Sequence, residues 1–180
     1  MTDTTPEGQE QPAPLTRARA VLFVEDNTYA IVNPESPPDR FTDPVETGVL
    51  AVTDAGGAAA SVTCGTHIGD VQVTGETWPA APPLVDAPWD DVAEVSLPWP
   101  GGRMALWGSF DEDADEIVLS EDAPPGSYRI RVHVRGRDAG EDRGEGDEPE
   151  EHLLQIWPSA PAPHRTLKTT DHTGQYWRSQ

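Results

Sequence analysis

This chain holds one cysteine and one lysine among 180 residues. A single thiol, Cys64, excludes any internal disulfide and any multi-cysteine metal knuckle. It lies in the apolar run 58–64 and reads as a buried, inert thiol. Cations are scarce: twelve Lys and Arg stand against thirty-two Asp and Glu, a net charge of -20. That balance argues against nucleic acid or an anionic membrane surface as partner and favours basic surfaces. No apolar run approaches the length that spans a bilayer. The polar, acidic start, residues 1–7, lacks the basic region and apolar core of a secretory signal, so a cytoplasmic protein is expected. There is no Gly-x-Ser-x-Gly elbow, no Cys-His arrangement of a known type and no Gly-rich phosphate loop. No catalytic residue and no cofactor is therefore expected. His67, His133, His152, His164 and His172 show no short ligand spacing with one another or with Cys64, so no metal site is expected either.

Long helices are missing too, and nineteen Pro with sixteen Gly explain why. Between these breaks lie short β-prone runs, of which 69–78, 92–99 and 127–135 alternate in polarity, the period of a half-buried strand. Strands are expected at 20–24, 28–32, 48–53, 59–64, 69–78, 92–99, 104–108, 117–119, 127–135 and 153–157. Gly101-Gly102 and 54–57 read as hairpin turns. About ten short strands at near-even spacing predict an all-β chain, an antiparallel β-sandwich of jelly-roll type. Residues 1–16 read as a disordered acidic tail, 17–157 as the sandwich and 158–180 as a proline-rich extension.

The acids cluster. The stretch 111–122 carries seven carboxylates and no cation; 138–151 carries eight against Arg143 alone. The first has alternate carboxylates as calcium loops do, but Glu116 stands where an EF-hand needs Gly. Both stretches read instead as partner-binding loops. The first offers Asp111, Glu112, Asp113, Asp115 and Glu116. The second offers Asp138, Glu141, Asp142, Glu145, Asp147, Glu148, Glu150 and Glu151. Alternation in 128–135 sets Arg129, Arg131, His133 and Arg135 on one strand face, a candidate anion site. The competing expectation is that these arginines pair with carboxylates on a neighbouring strand beginning Glu150-Glu151-His152. Six tryptophans are expected mainly to cap the core, with Trp89 and Trp177 as candidate exposed anchors.

The turn Pro124-Pro-Gly-Ser-Tyr128, running into Arg129-Ile-Arg-Val-His-Val-Arg135, resembles a turn and strand in a group of small actinobacterial proteins. It also resembles the competence protein J family, small acidic inhibitors of a DNA-degrading nuclease. That resemblance implies a protein-binding role without catalysis, on a basic partner such as a nuclease or toxin. The alternative expectation is a small-ligand binder or enzyme built on the Arg129–Arg135 face.

Overall fold

Side chains that alternate between apolar and polar can bury one face only if a second layer covers it. The computed structural model describes residues 12–53, 58–109 and 116–180, and eleven strands run through them. They are β1 (Thr16–Val24), β2 (Thr28–Val32), β3 (Leu50–Thr53), β4 (Ala59–Thr63), β5 (Gly69–Thr77) and β6 (Asp91–Trp99). They continue as β7 (Gly102–Trp107), β8 (Glu116–Ala123), β9 (Gly126–Arg135), β10 (Glu151–Pro158) and β11 (Arg165–Thr169). One helix, α1 (His172–Arg178), closes the chain.

Six strands form one sheet in the order β1-β5-β10-β9-β6-β11, and five form the other, β3-β4-β2-β7-β8. Every pairing is antiparallel except β5 with β10. The expected sandwich is thus present. Leu22, Val73, Leu97, Ile130, Val132 and Leu154 of the first sheet join one buried cluster with Tyr29, Ile31, Val62, Leu106 and Leu119 of the second. Each fully buried aliphatic side chain contributes about 1.5–3 kcal/mol. Gly75 in mid-β5 leaves room for Leu119, whose Cδ2 would lie 2.3 Å from an added Cβ.

One turn connects differently from the expectation. β6 belongs to the first sheet and β7 to the second, so Gly101-Gly102 carries the chain across the sandwich rather than closing a hairpin. Both glycines have positive φ (+100° and +88°). β1 and β2 are split between the sheets in the same way, across Asp26 and Asn27, both left-handed. The turn expected at 54–57 lies outside the described residues.

Of the expected tail, residues 1–11 lie outside the described residues, while Leu15 N–H donates to Thr77 O and β1 begins at Thr16. Most of the C-terminal extension is ordered structure: β11 pairs with β6, and α1 folds back beyond it. Trp99 joins the core, whereas Trp78, Trp89 and Trp157 are buried outside it. Trp89 is only 7% exposed, so it is no surface anchor. It packs with Val92 and Leu153 on the outer side of the six-stranded sheet. No described helix is long and apolar enough to cross a membrane.

Candidate functional site

Of the first acidic stretch, Asp111, Glu112, Asp113 and Asp115 lie outside the described residues. Glu116 opens β8 and is half-buried; Arg103 pairs with it at 2.8 Å and Trp107 Nε1 donates to it at 3.0 Å. The second stretch is described in full. It begins with two 3-10 turns over Arg137–Asp142, broken at Gly140, where φ is +46°. Glu141, Asp142, Glu145, Asp147 and Glu148 are exposed.

The one cation of this stretch does not neutralise them. Arg143 turns inward, donating to Thr66 Oγ1 (3.0 Å), Glu148 O (3.1 Å) and Gly136 O. Glu151 pairs with Arg135 at 2.5 Å, as the strand-pairing expectation had it. Asp138 accepts from the His172 and Thr173 N–H groups and the Thr173 hydroxyl, and so anchors α1. Burial would raise its carboxyl, but those hydrogen bonds and the nearby His172 outweigh that and hold it below the ordinary value. Glu150 does not belong with the exposed acids, because it is 0% exposed.

Beside this rim, Tyr176 and Trp177 of α1 stack edge to face at 5.4 Å. Tyr176 is exposed and Trp177 half-buried. Together with Asn27, His172, Cys64 and Gly65 they line an open groove of about 420 Å³.

The arginine strand is laid out as alternation predicts, yet it is not a free anion clamp. Arg129 and Arg131 are 3% and 7% exposed and grip the two oxygens of Glu94, at 3.1 and 2.8 Å. Their remaining donors meet carbonyls of two proline-rich segments. Arg131 reaches Pro82 O at 3.0 Å; Arg129 reaches Ala162 O and Pro163 O at 3.0 and 2.9 Å. Proline supplies acceptors without an N–H, so such segments suit a row of guanidinium donors. Burial would raise the Glu94 carboxyl, but the two arginines override it and lower it.

The guanidinium groups of Arg131 and Arg135 also lie over Trp157 and Trp89, at 5.0 and 5.3 Å. His133 faces Leu153 O through Nδ1 at 3.3 Å, so Nδ1 carries the proton. Its Nε2 is buried without a partner among the described residues. Burial lowers its pKa to about 4. His133 and His152 do not meet, because the β9–β10 register sets them on opposite faces.

Sequence reasoning missed a polar centre between the sheets. Tyr29 Oη lies 2.9 Å from His152 Nδ1, and His152 Nε2 lies 2.9 Å from Glu150 Oε1. A carboxylate only accepts, so Nε2 holds the proton and Tyr29 donates to Nδ1. Glu150 also accepts from Gly65 N–H (3.0 Å), Thr66 N–H (2.9 Å) and the Thr66 hydroxyl (2.8 Å). Burial would raise its carboxyl; the His152 contact and these N–H donors outweigh that and bring it to about 2. Cys64 is 1% exposed and adjoins the centre, its thiol pushed well up by burial and the charge of Glu150. Cys64, Glu150 and His152 place ligand atoms within 4.8 Å of one another.

The fully buried Arg137 stands nearby. It donates to both oxygens of Asp171 (2.7 and 2.8 Å) and to Gly48 O and Thr63 O. Residues 64, 137, 150 and 171 are far apart in sequence, so no local spacing announces the group.

No family model matches this sequence, and no curated protein matches it. Solved structures do. The crystal structure of ComJ, inhibitor of the DNA degrading activity of NucA, from Bacillus subtilis, superposes with a TM-score of 0.56 at 10% identity. The match covers 83% of this chain and 100% of that one. A second, described as crocagin biosynthetic gene J, gives 0.49 at 15% identity over 81% and 98% of the two chains. At these identities the likeness to ComJ is one of fold, and it agrees with the resemblance carried by the Pro124–Tyr128 turn and β9.

Proposed function

We propose that this protein is a binding module that docks its acidic end on a basic protein, in the role of a nuclease inhibitor or immunity protein. One observation carries this reading. The exposed carboxylates Glu141, Asp142, Glu145, Asp147 and Glu148 concentrate negative charge because Arg143, the only cation in their loop, is turned into the body of the protein; Glu141 meets His67 at 3.4 Å and Asp147 accepts from Gly144 N–H. Such a concentration of charge speeds encounter with a cationic surface and selects against anionic ones. The aromatic pair Tyr176 and Trp177 beside it offers the apolar contact that holds a complex once formed. The shared fold with a protein described as a nuclease inhibitor adds to this reading. The alternative, a ligand or substrate held by Arg129 and Arg131, is weakened because both are buried on Glu94.

The test is inhibition of DNA degradation by a panel of purified basic bacterial nucleases, at low and high salt. Inhibition of at least one is expected. Its association rate should fall as salt rises, and fall again when the five loop carboxylates are changed to Gln and Asn with the fold verified by circular dichroism. No inhibition across the panel, or inhibition indifferent to both changes, overturns the proposal.

A further inference from the structure

An inter-sheet core needs no carboxylate, thiol and imidazole in one place, and burying a charged group there is costly. Glu150 and His152 are nevertheless 0% exposed and Cys64 1%, with ligand atoms of all three within 4.8 Å. From this juxtaposition we infer that Cys64, Glu150 and His152 form a zinc site. A thiolate, an imidazole nitrogen and a carboxylate oxygen are the donor types zinc takes, and three protein ligands leave a fourth tetrahedral position open.

The surroundings are those of a metal centre. A ligating imidazole is held through its other nitrogen: His152 ligates through Nε2, the nitrogen on the Glu150 side, and Tyr29 Oη at 2.9 Å holds Nδ1. The carboxylate is fixed by the Gly65 and Thr66 N–H groups and the Thr66 hydroxyl. The loop that presents Cys64 is locked: a Cβ on Gly65 would sit 1.8 Å from Arg137 O. There is also a way in, since the open groove beneath Tyr176 and Trp177 is lined by Cys64 and Gly65. The fourth ligand is water entering from that groove. On binding, the thiol releases its proton to solvent and the imidazole proton passes from Nε2 to Nδ1, which then donates to Tyr29 Oη; thiolate and carboxylate offset the dication, with Arg143 standing 3.9 Å from Glu150 Oε2. The groove that leads to the site is shared with the Tyr176 and Trp177 docking surface, but the metal ligands are not part of that surface, so failure of the site would leave the docking reading untouched.

The experiment is titration of the chelator-treated full chain with Co²⁺ alone, followed by Zn²⁺. One equivalent of Co²⁺ should produce the absorption of a tetrahedral site with a thiolate-to-cobalt charge-transfer band, and Zn²⁺ should bleach it. Surface carboxylates bind divalent ions without producing that band. Cys64 is the only cysteine, so a band in the unmodified protein already assigns the thiolate ligand, even if variants fail to fold. Cys64→Ser should abolish the band; Glu150→Gln and His152→Asn should weaken Zn²⁺ binding roughly tenfold or more. Tyr29→Phe, which removes only an imidazole partner, should weaken it within roughly 10–100-fold. Changing the exposed His67 and His164 to Ala should alter nothing. Absence of the band in the unmodified protein, or full affinity in both Glu150→Gln and His152→Asn, overturns the site.

Discussion

His133 shows how a single residue couples this fold to pH. Its Nδ1 faces the Leu153 carbonyl, its ring packs at 5.5 Å on Trp89, and Nε2 is buried without a partner among the described residues. Protonation would place a charged N–H where no acceptor waits, with Arg131 adding repulsion and Glu76 and Glu94 offsetting only part of it. The folded protein therefore takes up this proton only near pH 4, whereas the unfolded chain does so near 6.5. Between those values the unfolded state binds more protons, so stability falls as pH falls from about 6.5 to about 4. His133→Phe should flatten that part of a urea-midpoint profile; an unchanged slope would show that another group titrates there.

Glu94 makes the complementary case. It is the shared acceptor of Arg129 and Arg131, so Glu94→Gln leaves two buried guanidinium groups short of their counter-charge. Breaking a buried pair from one side costs about 3–5 kcal/mol, measurable as a lower urea midpoint at unchanged slope. An exposed pair such as His164 with Glu46 should cost under about 1 kcal/mol by the same measurement.

At the scale of elements, α1 is fixed by ionic contacts rather than by its own sequence. Asp171 caps α1 by accepting from Gly174 N–H, and the same carboxylate holds the buried Arg137. Arg178, in the last turn, reaches Asp91 Oδ2 at 2.8 Å. Deleting 171–180 should thus destabilise the sandwich by about 3–5 kcal/mol, because it strips Arg137 of its bidentate partner. A deletion with no effect on the urea midpoint would show the helix to be an appendage.

The same contrast explains what could be read from sequence. The strands from β1 to β10 announce themselves by short apolar or alternating runs between turn signals, a local signal, and the antiparallel pairing of β9 with β10 was legible, though not the register that sets Arg135 opposite Glu151. β11 was not legible, since Arg165-Thr-Leu-Lys-Thr169 has one apolar residue and gains its place by pairing with β6 and by packing Leu167 against the Trp89 cluster. Nor was α1, seven residues with Gly174 inside and no apolar face of any length. The sheet crossings at Asn27 and Gly101 look like hairpin turns because a turn signal does not say which sheet receives the next strand. The exposed acids were visible as a charge run, but the inward turn of Glu150 depends on N–H groups 84 and 85 residues away.

For the molecule as a whole, the charge of -20 acts in two opposing ways. Within the folded chain, like charges repel across the surface and work against the compact state. Salt screens them, with a Debye length near 10 Å at about 0.1 M. The buried pairs, Arg137 with Asp171 and Arg131 with Glu94, have almost no solvent contact and are screened far less. Added sodium chloride should therefore raise the thermal midpoint from its low-salt value. Changing Glu141, Asp142, Glu145, Asp147 and Glu148 to neutral residues should shrink that rise, because it removes part of the repulsion. The proposed docking on a basic partner should respond with the opposite sign, since the same screening slows association. Melting and binding measured over one salt series thus separate the two effects: the midpoint climbs while the association rate falls. A midpoint that drops with salt would mean that surface attractions, rather than self-repulsion, govern this fold.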